Sequence, residues 1–135
     1  MTTSRTIGYM RLLALGAGVM DFLTGLGLVF VPALTLRLMM VPVPETPALI
    51  FVRFVGVFVG SVGAIYLVAW FRRDTADLVG VFRLTLPFRF GAGTFCAVAV
   101  ATGDLAPMWL SVSAADLGLV IAQVVLLRRL KEAGG

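Results

Sequence analysis

Five ionisable residues interrupt the long apolar runs of this chain: Asp21, Arg53, Arg83, Arg89 and Asp116. A charge at the centre of a bilayer costs at least about 2.5–3.5 kcal/mol on insertion scales, so each position needs a partner, a route to the surface or a task. Carboxylates and guanidiniums at similar depth can do one of three things. They can pair, with Arg89 on Asp21 and Arg53 on Asp116, and so lock the helices that carry them in one register. They can surround a central cavity as a ligand site or a proton or ion path. They can also meet a second membrane subunit. Asp21, Arg53, Arg89 and Asp116 would line such a cavity, and the excess of three arginines over two carboxylates among the five charges would make it prefer an anion or a lipid headgroup. Arg83 stands apart, because an arginine nearer a helix end can snorkel to headgroup phosphates on its own.

Other chemistries lack their residues. The chain has no histidine and one cysteine, so the commonest metal ligand and neutral-pH proton carrier is missing and an intrachain disulfide is excluded. Cys96 has no histidine to activate it and reads as a small core residue. Gly91-Ala92-Gly93 follows an arginine inside an apolar run, with no preceding strand and no P-loop lysine, so it reads as helix packing. No metal site, cofactor or catalytic residue is expected.

The elements that position the five charges follow from composition. The 135 residues suit one domain; 60% are apolar and 13% charged, against roughly 45–50% and about 25% in soluble domains. A small soluble protein could not bury that much apolar surface, whereas lipid can cover it. A pI near 10.2 does not imply a nucleic-acid partner, because the basic residues sit at the ends of apolar runs rather than in a patch.

Four runs are long enough to cross a hydrocarbon core of about 30 Å, which takes about 20 helical residues. They cover 9–31, 48–71, 78–102 and 106–127, and predict an all-α bundle of four transmembrane helices in a single domain. The first is too long for a signal-peptide core and contains Asp21. Pro42, Pro44 and Pro47 make the first connection a turn, and Pro87 is expected to kink the third helix. Seven basic residues (Arg5, Arg11, Arg72, Arg73, Arg128, Arg129 and Lys131) fall on one side and Arg37 on the other. Both termini are therefore expected to be cytoplasmic, with Trp70 and Trp109 as interfacial anchors.

Helical spacing places the charges on stripes of small or polar residues. Ala14, Ala17, Gly18, Asp21, Thr24 and Gly25 share a face of the first helix. Arg53, Gly56, Gly60, Gly63 and Ala64 share one in the second; Thr85, Arg89, Ala92 and Cys96 in the third; Ser113, Asp116 and Gln123 in the fourth. Such stripes are the surfaces on which helices approach closely in lipid, so the charges are expected to face inward. Gly56 and Gly60 also form a G-x-x-x-G, a packing or dimerisation signal.

Pro44-Glu45-Thr46-Pro47 leading into Arg53-Phe54-Val55-Gly56, then Gly60, Gly63 and Tyr66-Leu67, resembles the small four-helix bacterial membrane proteins grouped as DoxX-like. The resemblance covers most of the chain in architecture and this stretch in motif. It implies a bacterial inner-membrane protein, in some members tied to quinone-linked oxidoreductase complexes or serving as an accessory subunit. Three functions are therefore expected in descending order. The first is an accessory or scaffold subunit, or a homo-oligomer, without catalytic machinery. The second is a carrier or binder of a hydrophobic or anionic small molecule or lipid, and the third a component of an oxidoreductase complex. Membrane lipids and a second copy or a larger membrane complex are the partners these readings share; nucleic acid is not one.

Overall fold

A computed structural model describes residues 2–134. They form five α-helices: α1 (Thr3–Phe30), α2 (Pro32–Leu38), α3 (Leu49–Arg72), α4 (Thr75–Ala101) and α5 (Leu110–Gly134). No strand is present among the described residues. The four long helices, two of them entered through a short 3-10 turn (Thr46–Ala48 and Pro107–Trp109), are long and apolar enough to cross a membrane. The protein is thus built as an integral membrane protein of four spans, with one short helix more than the sequence predicts.

The helix ends follow from local chemistry. Val31 lies before a proline, where the α conformation is disfavoured, and it leaves α-space at φ −133° and ψ 56°. Pro32 then opens α2 at the position where its missing N–H costs nothing. The end of α2 is a Schellman turn: Met40 N–H donates to the Arg37 carbonyl, and Val41 N–H donates to that of Leu36. Met40 takes the left-handed conformation (φ 58°) without being glycine, and the burial of Leu36 and Val41 against each other and Leu28 offsets the strain. The same turn at the end of α4 uses Gly103 at φ 84°. Between α3 and α4 only Arg73 and Asp74 intervene; Arg73 is left-handed and the Asp74 carboxylate caps α4 through Ala76 N–H. Pro87 lies within α4, which continues through it.

The bundle is two tight helix pairs, α1 with α3 and α4 with α5, set against each other. The first pair meets backbone to backbone. A Cβ built on Gly25 would lie 2.4 Å from Gly60 Cα, and one on Gly63 would lie 2.3 Å from Phe22 N. A Cβ on Gly56 would lie 2.7 Å from Leu28 Cβ. The G-x-x-x-G stripe is therefore used within the chain, on α1. In the second pair Gly93 lies under Leu117 and Asp116, and its carbonyl accepts from Ser113 Oγ at 2.8 Å.

Burial runs opposite to that of a soluble protein. Arg89 and Gln123 are among the most buried side chains, while Leu84, Phe71 and Phe51 are 70–81% exposed. Apolar exposure of that extent all round the bundle suits lipid and would aggregate in water. Apolar clusters close both ends of the interior: Met10, Tyr66, Phe82 and Leu126 at the end nearer the termini, and Leu28, Leu36 and Val41 at the other. Trp70 packs on the first cluster and Trp109 on the second.

The glycine contacts make a direct test. Gly25→Ala forces a methyl into the α3 backbone and is expected to cost about 1–3 kcal/mol. Nothing lies within 4 Å of a Cβ at Gly16, so Gly16→Ala is expected to be neutral or to stabilise by up to about 1 kcal/mol through helix propensity. Detergent-solubilised unfolding followed by circular dichroism separates the two.

Candidate functional site

Arg89 lies near the middle of α4, and its guanidinium reaches the other three long helices. Nη2 donates to Asp21 Oδ2 on α1 at 2.5 Å, and Nη1 to Asp116 Oδ1 on α5 at 2.7 Å. Nε donates to the Tyr66 hydroxyl on α3 at 3.0 Å. Each of its three nitrogens therefore has an acceptor on a different helix. The Arg89 side chain is 1% exposed and those of Asp21 and Asp116 are 12% and 13%. Arg89 Cζ also lies 5.0 Å from the centre of the Tyr66 ring, within cation–π distance.

Tyr66 extends the network toward the ends that carry the termini. Thr85 Oγ1 donates to the Val81 carbonyl at 2.8 Å, so across the 2.7 Å contact it is the Tyr66 hydroxyl that donates to Thr85. Gln123 Nε2 donates to the Tyr66 oxygen and, at 3.1 Å, to Thr85 Oγ1. Gln123 Oε1 is the one buried side-chain polar atom without a hydrogen-bond partner among the described residues. Six side chains from four helices thus form one polar core, framed by the apolar clusters at either end.

Three of the five intramembrane charges come together as the spacing suggests, and two do not. Asp21, Arg89 and Asp116 form the cluster. The pairing of Arg53 with Asp116 is corrected: Arg53 is exposed, near the start of α3, and its Nη1 donates to the Val29 carbonyl. The reason is local. Val29 lies in the last turn of α1, where carbonyls lack helical partners and the helix dipole favours a cation, and Asp116 is already held by Arg89. Arg83 is exposed on the outside of α4 and forms no ion pair among the described residues, as a headgroup-seeking arginine would.

The sign of the cluster is also corrected. The five-residue tally has an arginine excess, but the assembled core holds two carboxylates and one guanidinium. It carries one negative charge unless a carboxyl holds a proton. That composition suits a cation or a proton, not an anion. Tyr66 and the cross-helix role of Gln123 were not legible as site residues. Tyr66 continues the glycine stripe three residues beyond Gly63, and a polar aromatic at the end of a small-residue face is the signal that marks it.

Among the described residues no group of three or more Cys, Asp or Glu side chains is placed to hold a metal. Cys96 is buried and unpaired with any other cysteine. No family model, no curated protein and no solved structure matches the chain. The resemblance to DoxX-like proteins thus has no support from these comparisons.

Removing the Tyr66 hydroxyl takes an acceptor from Arg89 and Gln123 together. Tyr66→Phe is expected to destabilise the bundle by about 1–3 kcal/mol, the cost of buried donors left unpaired. Tyr9→Phe, at a half-exposed tyrosine, is the control and should leave the unfolding midpoint unchanged.

Proposed function

We propose that the protein is a non-catalytic integral membrane protein, an accessory or scaffold subunit or a homo-oligomer, whose buried charges fix the register of its helices. One observation carries the reading: a single guanidinium has an acceptor on each of the three other long helices. Arg89 and Gln123 occupy the centre at 1% and 0% exposure, so a ligand there would have to displace the groups that join the bundle. In lipid the alternative to such bonds is an unpaired charge, so helices that satisfy one another stay in one arrangement.

The even number of spans puts both termini on one side, and the excess of basic residues at those ends supports the reading that this side is cytoplasmic; a bacterial inner membrane is the host that the DoxX-like resemblance implies. Membership of a larger membrane complex, including the quinone-linked ones to which the DoxX-like resemblance points, belongs to the same proposal. Fluorescent-protein fusions at either terminus are expected to glow, and periplasmic-reporter fusions there to be silent. The opposite result reverses the orientation.

The register role has its own test. Arg89→Ala strands two carboxylates and is expected to cost about 3–5 kcal/mol. The Asp21→Ala, Arg89→Ala double variant should lose less than the sum of the single losses when unfolding is measured in detergent. Near-native stability in all three variants would sink the register role and favour a ligand site.

A further inference from the structure

The α1 and α5 helices are tied by hydrogen bonds at two levels; between these they share the buried cluster of Met10, Ala14 and Leu126 on the inside and leave an open seam on the outside. At mid-depth Arg89 gathers Asp21 and Asp116. At the ends that carry the termini, Thr3 Oγ1 donates to the Ala133 carbonyl at 3.2 Å. Between these ties lies a groove of about 760 Å³, open to the outside of the bundle. Gly16, Ala17, Ala115 and Ala122 give it width, and its lining is apolar apart from Tyr9 and Arg129 at one end. Its volume lies within the roughly 300–1,000 Å³ of small-molecule sites.

Length and charge identify the occupant. From Tyr9 to Met20 on α1 the groove runs roughly 16 Å, and from Ala115 to Arg129 on α5 roughly 21 Å, at about 1.5 Å per residue. Half of a hydrocarbon core near 30 Å is about 15 Å, so the groove is about one leaflet deep. Its polar end falls at the surface level of that leaflet. Arg129 is exposed there and forms no ion pair among the described residues. Arg5, Arg11, Arg72, Arg73, Arg128 and Lys131 share that side with only three acids, Asp74, Asp77 and Glu132. The apolar trough and cationic mouth match an amphiphile with an anionic head.

We infer that the α1–α5 groove holds one anionic phospholipid from the leaflet on the side of the termini, its acyl chain along Gly16, Ala17 and Ala122 and its phosphate on Arg129. The lipid completes the wall that the two helices leave open. This goes beyond the scaffold role and does not require it, since the groove lies outside the polar core.

The protein is reconstituted in bilayers of equimolar phosphatidylglycerol and phosphatidylcholine, extracted in mild detergent, and its bound lipids are counted by native mass spectrometry. Wild type should retain one lipid, phosphatidylglycerol over phosphatidylcholine by about fivefold, the preference that one arginine confers at a membrane surface. Arg129→Gln should keep the occupancy and lose the preference. Gly16→Leu combined with Ala122→Leu should lose the lipid itself. Equal retention of the two lipids, no retained lipid, or retention unchanged in the filled-groove variant would each overturn the proposal. So would a wild-type dimer that the filled-groove variant converts to monomer, because a second copy would then be the occupant.

Discussion

The bundle depends on a cation that lipid will not solvate. Arg89 lies at mid-depth in α4, where its charge must be met by the protein. It is met three times, by Asp21, Asp116 and the Tyr66 hydroxyl. The guanidinium is planar and forked, with five N–H groups in fixed directions, so these bonds specify where three helices stand relative to the fourth. A lysine ammonium would supply charge without that geometry. Hydrophobic burial cannot supply it either, because lipid tails are as apolar as leucine and give no preference for one helix packing over another.

The remaining order is built from shape. The α1–α3 crossing is a glycine-to-glycine backbone contact, and α4–α5 is closed by Gly93 with Ser113 on its carbonyl. Those two pairs are each complete in themselves. Pair is joined to pair by the polar core, in which Arg89 reaches Asp21 and Tyr66 and Gln123 reaches Tyr66, and by the apolar cluster of Met10, Tyr66, Phe82 and Leu126, which has no directional bonds to fix register. The division of labour explains why α1 and α5 can part along an open groove below the level of Arg89 without disturbing either pair.

Much of this was legible in the sequence, and the limits are physical. Run length and proline positions located the four long helices, because about 20 apolar residues and a missing N–H leave little choice. The α2 helix was not legible, since Pro32–Leu38 is a single short segment beside a span and periodicity over seven residues is weak. The Asp21–Arg89 pair was legible from depth and face. Assigning Arg53 to Asp116 failed because depth arithmetic ignores the unpaired carbonyls at a helix end, which compete for an arginine as well as a carboxylate does. The charge sign of the core failed with it, since both Arg53 and Arg83 lie outside the cluster, and losing two arginines turns a net charge of plus one into minus one. Tyr66 was hidden because a single tyrosine in an apolar run says nothing of the donors that will face it from other helices.

The claim that Arg89 joins the two helix pairs is tested most directly by interhelical distances. In a Cys96→Ala background, nitroxides attached through Leu23→Cys on α1 and Ile121→Cys on α5 report across the pairs. Leu23→Cys with Phe58→Cys on α3 reports within one pair. All three positions are exposed, so labelling leaves the core intact. Pulsed electron-spin resonance in lipid should give narrow distributions for both label pairs in the otherwise native protein. With Arg89→Leu, the α1–α5 distribution should broaden while the α1–α3 distribution stays narrow. An α1–α5 distribution unchanged by Arg89→Leu would contradict the account, because the pairs would then be held together by something other than this guanidinium.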